Sequence, residues 1–382
     1  MEQQPLTLLC FGHLNWDHVW QRPQQLMSRF AKHCRVIYVD PPDFASGVDQ
    51  PYLEARPSVA GVERLRPFFP TPLLDAPGNP YQQFWLRLLP EVLAEAGANT
   101  IQWVFSPRAD YLVEHARPNV RLAVYDCMDD LASFRDGSEE LRQRETRLLE
   151  LVDLVFTGGH SMYEARKNRH SRIYCFPSGV DVDHYRTVQD PSTVEPAVMQ
   201  TIPHPRLGYF GVLDERIDWE LIGTIAESRP DWQWALVGPT AKVDPNELPV
   251  APNIHYFGQQ QYADLPAFLK GFDIATMPFA LNEATRFISP TKTLEYLAGG
   301  KPVISSSVPD VVALYGEIVH IVDGPDAWMR EIDKILVAPE QDRQARLARA
   351  TEILARNSWD SIAEQMWTLM HEQLVQKPWR RR

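Results

Sequence analysis

A chain of 382 residues is longer than one ordinary domain; at roughly 150 residues each, two or three are predicted. Apolar residues make up 44% and charged residues 23%, a globular composition with material for buried cores. The net charge of −12, from 50 acidic against 38 basic residues, excludes a general nucleic-acid binder. No apolar run reaches the roughly 18 residues of a membrane span. The opening MEQQPLTLLCFGHLNW has neither a basic start nor a long apolar stretch, so no secretory signal is read there. Cys10, Cys34, Cys127 and Cys175 are scattered without a CxxC pair. Buried thiols in a reducing compartment are the expectation, and a zinc site is not. The composition predicts a soluble, cytoplasmic, multi-domain protein.

In chain order, strands are predicted at 6–11, 35–39, 100–105, 121–125, 152–156 and 172–176, with helices at 23–32, 81–96, 139–151 and 161–169. Such alternation predicts an α/β domain with a parallel sheet covered on both faces, binding ligands beyond the carboxyl ends of its strands. Pro191, Pro196, Pro203 and Pro205 then fall in a stretch without periodicity, which reads as a linker. The alternation restarts with strands at 206–210, 232–237, 254–257, 273–277, 302–305 and 318–321. Its helices are predicted at 219–228, 265–270, 291–298, 327–336 and 341–355. The expected division is 1–187, a linker at 188–205, a second domain at 206–358, and a C-terminal helix and basic tail at 359–382. That last helix either caps the second domain or packs back on the first.

The segment SPTKTLEYLAGGKPVIS at 289–305 carries the sharpest chemistry. Pro290 suits the first turn of a helix. The backbone N–H groups there, with Ser289, Thr291 and Lys292, make a phosphate cradle. Glu295, three residues after Lys292, shares its helical face and can accept hydrogen bonds from a sugar's hydroxyls. An ordinary amphipathic helix with a surface Lys/Glu pair fits the same letters. Arg216 follows a strand and offers bidentate bonds to a diphosphate, or pairs with Glu215 or Asp218.

In the first half, HLNWDHVWQRPQQL at 13–26 crowds polar and aromatic groups after the first strand. Trp16 can stack on a sugar, Arg22 can meet an acceptor, and Asp17 or His13 can act as base. Core packing and a structural ion pair are the competing readings. Asp129, in DCMDD at 126–130, is a third candidate base, with helix capping as its alternative. Asp181-Val182-Asp183 has the look of a metal-binding DxD, but no cluster with ligand spacing accompanies it, and no metal is assigned.

These stretches resemble the GT-B glycosyltransferases, especially the family-4-like enzymes of bacterial envelope polysaccharide synthesis. Residues 289–305 resemble their donor-site helix, and Gly208 to Asp218, with Gly211 and Arg216, their first C-terminal strand and loop. Asn253 to Gly258, with Tyr262, is similar to the segment beside the nucleotide base. Pro177 to Asp181 is similar to the exit from their N-terminal domain. The resemblance implies two Rossmann-like domains facing a cleft. It implies transfer from a nucleotide-diphosphate sugar, a UDP sugar among them, to a saccharide or lipid-linked acceptor, without metal or other cofactor. Gly211, Arg216, Ser289, Pro290, Thr291 and Lys292 would hold the diphosphate, and Glu295 and Tyr262 the ribose and base. Lipid-linked acceptors and the ending Arg380-Arg381-Arg382 imply weak peripheral membrane contact. The family's glutamate pair is incomplete: Glu295 is its second member, Phe287 stands at the first, and Glu283 is out of register. A nucleotide-sugar 2-epimerase and a non-catalytic sugar-nucleotide scaffold share this architecture and remain open.

Overall fold

The computed structural model describes residues 5–71, 80–133 and 138–377. The chain forms two α/β units: Met1–Gly158 with Met162–Phe176 and Asp360–Arg382, and Gly159–Ser161 with Pro177–Trp359.

The first unit is built on β1 (Thr7–Phe11), β2 (Arg35–Val39), β3 (Asp43–Ala45), β4 (Tyr52–Val59), β5 (Val62–Pro70), β6 (Thr100–Val104), β7 (Leu122–Cys127), β8 (Leu154–Thr157) and β9 (Ile173–Cys175). Their order is β3-β5-β2-β1-β6-β7-β8-β9, with β4 antiparallel along β5. Sequences such as TLLCF and RVIYV are apolar without alternation because a parallel sheet buries both faces. The order reverses direction between β1 and β6, which brings the loop after β1, with His13, Trp16 and Asp17, to the switch point where such sheets bind ligands.

The second unit carries β10 (Arg206–Phe210), β11 (Gln233–Val237), β12 (Ile254–Tyr256), β13 (Ile274–Met277), β14 (Val303–Ser305) and β15 (His320–Ile321). All pair in parallel in the order β12-β11-β10-β13-β14-β15. Its switch point lies between β10 and β13, so the loops leaving these two strands are placed for a ligand.

Residues 188–205 are not a free linker. Val188, Met199 and Ile202 are buried in the second unit's core, as are Val180 and Tyr185 before them. Arg206, 2% exposed, ties the proline-rich stretch down through Glu195 and the carbonyls of Ile202 and Gly271. The division therefore falls at Phe176/Pro177 rather than after residue 187. The helix Trp359–Gln376 belongs to the first unit from Asp360 onward. Ile362, Met366, Met370 and Leu374 are buried, Trp367 stacks on His33 at 5.0 Å, and Arg29 pairs with Asp360 at 3.1 Å. Arg380-Arg381-Arg382 lie outside the described residues. Among the described residues, no helix is long and apolar enough to cross a membrane.

Candidate functional site

The helix Thr291–Ala298 buries Thr293, Leu294, Tyr296, Leu297 and Ala298 and leaves Lys292 and Glu295 partly exposed. Pro290 takes the N-cap position, one residue before the helix proper, and supplies no side-chain cap. The positive end of the helix dipole there favours an anion. Gly299 closes the helix, and Gly300 follows at φ +74°. Tyr296 accepts the Phe210 N–H at 3.0 Å, which fixes the helix to the end of β10.

Immediately after β10, Gly211 adopts φ +141°, a region that side chains rarely enter. A Cβ on Gly211 would overlap the Lys292 Cε and lie 2.7 Å from Nζ and 3.1 Å from the Tyr209 hydroxyl. Glycine is what lets the lysine stem cross the strand end. The ammonium lies 5.7 Å from the Tyr209 ring centroid. The following loop is held on both sides, by Leu213 bridged to Thr240 and Ile217 bridged to Phe279. Within it Arg216 forms a two-pronged pair with buried Asp214, at 2.9 Å from Nε and 2.7 Å from Nη2. Pairing with Glu215 or Asp218 was the alternative to a diphosphate contact. Asp218 instead caps the next helix by accepting the Leu221 N–H. The bond to Asp214 orients a guanidinium whose five N–H donors suit phosphate oxygens as well as carboxylates.

Burial pushes the Glu295 carboxyl up to about 7, against the opposing pull of the Lys292 ammonium and the Tyr185 hydroxyl. Tyr262 stacks on His184 at 4.2 Å with the rings 12° from parallel, and its carbonyl meets His184 Nε2 at 3.0 Å. Tyr185 meets Tyr262 edge-on at 6.0 Å. Lys292 thus neighbours Tyr209, and Tyr185 neighbours Tyr262. Ser289 and Thr291 lie beside Pro290 at the helix start.

Residues 204–357 match the family described as glycosyl transferases group 1. That match lies within the second unit. TuaH of Bacillus subtilis, named as a teichuronic acid biosynthesis glycosyltransferase, is 22% identical over 262 residues, 64% of this chain and 65% of TuaH. The chain thus spans just under two thirds of that relative's length. Among solved structures, Anabaena HepE, in complex with UDP and glucose, matches with TM-score 0.70 at 15% identity, over 96% of this chain and 100% of HepE. A trehalose-phosphate synthase of Burkholderia xenovorans, in complex with glucose-6-phosphate, matches with TM-score 0.71 at 12% identity, over 96% and 99% of the two chains. The fold is that of the GT-B glycosyltransferases, with two Rossmann-like domains.

The first unit of this glycosyltransferase fold corrects several expectations. Trp16 is 3% exposed and packs edge-on against Trp20 and Tyr38, so its ring is core and has no face for a sugar. Its backbone N–H is held by buried Asp40 at 2.7 Å. Arg22, 2% exposed, makes a fork with fully buried Asp126 and donates to the Phe176 carbonyl at 2.8 Å. It is a structural ion pair and not an acceptor contact. Asp17 is exposed but pairs with Arg64 at 2.6 Å, which draws its carboxylate away from the role of a free base. His13 packs on Phe105, and burial pushes its imidazole down to about 4, so it is neutral at physiological pH. The Asp129 carbonyl accepts from Cys127 and from the Leu131 N–H, while its carboxylate raises the pKa of Asp126. Asp181 caps the helix Val182–Arg186, and Asp183 pairs with Arg186 at 3.6 Å. Among the described residues, no group of three His, Cys, Asp or Glu is placed to hold a metal.

Sequence reasoning passed over Gly238, Asp214, Tyr209, His184 and Tyr185. Gly238 was the most legible, being a glycine directly after a buried strand. The others act through contacts between segments that no local pattern announces.

Proposed function

We propose that this chain is a glycosyltransferase that moves a sugar from a nucleotide-diphosphate sugar to a saccharide or lipid-linked acceptor in envelope polysaccharide synthesis. The observation that carries the reading is the Lys292 ammonium, drawn across Gly211 at the N-terminus of a helix without a side-chain cap. Lys292, Arg216 and the helix N-terminus stabilise the departing diphosphate, and Ser289, Pro290 and Thr291 shape its cradle. Glu295 accepts the ribose hydroxyls, and Tyr262 lines the base, with uridine the expected nucleoside. The acceptor is held by the first unit, where Asp129 is the remaining candidate base. A thermal-shift screen of nucleotide-diphosphate sugars tests this. A true donor at 100 times its Kd raises stability by about 2.7 kcal/mol. No shift with any donor sinks the proposal. Lys292→Ala and Arg216→Ala are each expected to weaken donor binding by roughly 1.5–3 kcal/mol, read by calorimetry.

The reaction needs no metal in this proposal, because two cations and a helix N-terminus face the leaving group. Transfer is expected to persist in EDTA. Loss in EDTA that manganese restores would overturn this and return attention to Asp181 and Asp183.

Glu295 gives the donor site a pH dependence with a definite sign. The ionised carboxylate accepts hydrogen bonds from the ribose, so ligand favours the deprotonated form. Affinity for UDP-glucose, whose diphosphate has no proton titrating near neutrality, is expected to rise with pH through about 7 and level off above it. Glu295→Gln should flatten that profile. A profile unchanged by the substitution would remove Glu295 from the ribose.

A cytoplasmic location with reversible attachment to anionic lipid completes the reading. Each basic residue of the terminal Arg380-Arg381-Arg382 contributes about 1 kcal/mol near such a surface. Co-sedimentation with anionic liposomes is expected at low salt, weakening at high salt and on removal of residues after Lys377. Binding indifferent to both would refute this mechanism.

A further inference from the structure

The short helix Val182–Arg186 belongs to the second unit, and its first turn is fixed by Asp181, whose carboxylate accepts the His184 N–H at 3.2 Å. Tyr185 is fully buried and stacks on Phe210, the last residue of β10, with centroids 5.8 Å apart and planes 7° from parallel. Phe210 in turn meets Tyr296 of the helix Thr291–Ala298 edge-on at 4.8 Å. His184 meets Tyr185 edge-on at 4.9 Å and lies against the Tyr262 ring at 4.2 Å, 12° from parallel. Its Nε2 is 3.0 Å from the Tyr262 carbonyl oxygen, which also accepts the Leu265 N–H at the start of the helix Leu265–Lys270. A carbonyl oxygen only accepts, so Nε2 carries the proton and donates. One side chain thus holds both the ring and the backbone of Tyr262. An unbroken row of rings, Tyr296, Phe210, Tyr185, His184 and Tyr262, joins that residue to the donor helix.

We propose that His184 is a positioning residue for the nucleoside end of the donor: by its ring stack and its Nε2–H bond it sets Tyr262 at a fixed offset from the helix that holds the diphosphate. The proposal rests on the reading of Tyr262 as the base contact. A base and a diphosphate are joined through one ribose, so the two places that receive them must keep a set separation. Tyr262 stands on a single 3-10 turn, Tyr262–Asp264, whose hydrogen-bond geometry is poor, and its orientation depends on what packs against it. His184 supplies that support in advance, which lowers the ordering cost of binding. It acts through Tyr262 and touches no reacting atom.

His184→Ala removes the stack and the hydrogen bond together. Binding of UDP-glucose and of pyrophosphate by calorimetry is the measurement, since pyrophosphate has no nucleoside. UDP-glucose affinity is expected to fall by about threefold to tenfold, the worth of one hydrogen bond or one ring pair. Pyrophosphate affinity should stay within about twofold of wild type. In the Tyr262→Ala background, His184→Ala should cost no further UDP-glucose affinity. Where His184→Ala does not fold, His184→Phe, which keeps a ring and loses the donor, is compared on the same two ligands, with a selective loss of about threefold expected for UDP-glucose. Unchanged UDP-glucose affinity, where Tyr262→Ala does weaken it, reduces His184 to core packing. Additive losses in the double variant, or equal losses for both ligands, do the same. If Tyr262→Ala leaves UDP-glucose affinity intact, the base reading itself fails.

Discussion

Replacing Arg22 by alanine is expected to destabilise the first unit by about 3–5 kcal/mol, the range found when one partner of a buried ion pair is removed. Asp126 is fully buried, and burial raises its pKa while Arg22 opposes the rise. Without the guanidinium the carboxylate either remains charged in an apolar setting or binds a proton. A carboxyl whose folded pKa lies above its unfolded value destabilises the fold progressively as pH rises above the unfolded value. The deficit of Arg22→Ala should therefore shrink as pH falls toward about 4. The Phe176 carbonyl also loses its donor, at the last residue before the chain enters the second unit. Adding Asp126→Asn should recover part of the loss, because the uncompensated charge is its larger component. Thermal melts across pH measure both effects. An Arg22→Ala protein that melts like wild type yet loses transfer to acceptor would restore Arg22 as an acceptor contact.

The reversal at Arg22 shows where the sequence is readable and where it is not. Parallel strands buried on both faces announce themselves as apolar runs, and β2 and β10 were predicted at their observed bounds. The helices Trp219–Ser228 and Thr291–Ala298 were equally legible, since Asp218 caps the first and Gly299 ends the second. β4 and β5 were missed: YLEARPSV and VERLRPFFP mix charges with prolines and pair locally as an antiparallel ribbon. Short helices such as Asp110–Ala116 and Pro309–Tyr315 give too few turns for a period to emerge. The prolines of 188–205 suggested a linker because composition does not reveal that Met199 and Ile202 find a core. Arg22 and Asp126 are 104 residues apart, and position at a strand's end makes either look functional until the partner is seen. The donor helix was legible for the opposite reason. Pro290, Lys292 and Glu295 lie within six residues, and helical geometry alone decides which of them share a face.

Gly211→Ala is expected to abolish most of the affinity contributed by Lys292, and the geometry separates this from a general loss of fold. The new methyl would overlap the Lys292 Cε, which is the flexible end of a side chain and can swing away. Swinging away removes the ammonium from the phosphate site, a loss of roughly 1.5–3 kcal/mol in donor binding. Gly238 provides the contrast. A Cβ there would overlap the Gly211 carbonyl oxygen, a backbone atom that cannot move without the strand. Both positions have strongly positive φ, +141° and +146°, so each alanine also carries about 1–3 kcal/mol of backbone strain. Gly238→Ala should therefore lower the melting temperature more than Gly211→Ala does. Gly211→Ala should lose affinity for UDP-glucose and pyrophosphate alike, because the displaced ammonium serves phosphate in both ligands. The double variant decides the cause: if Gly211 serves to admit Lys292, adding Gly211→Ala to Lys292→Ala costs no further binding, and the two losses fail to add. Full additivity would mean that Gly211 acts through its own backbone instead. A Gly211→Ala protein with wild-type affinity would place Lys292 away from the diphosphate and remove the observation on which the donor site rests.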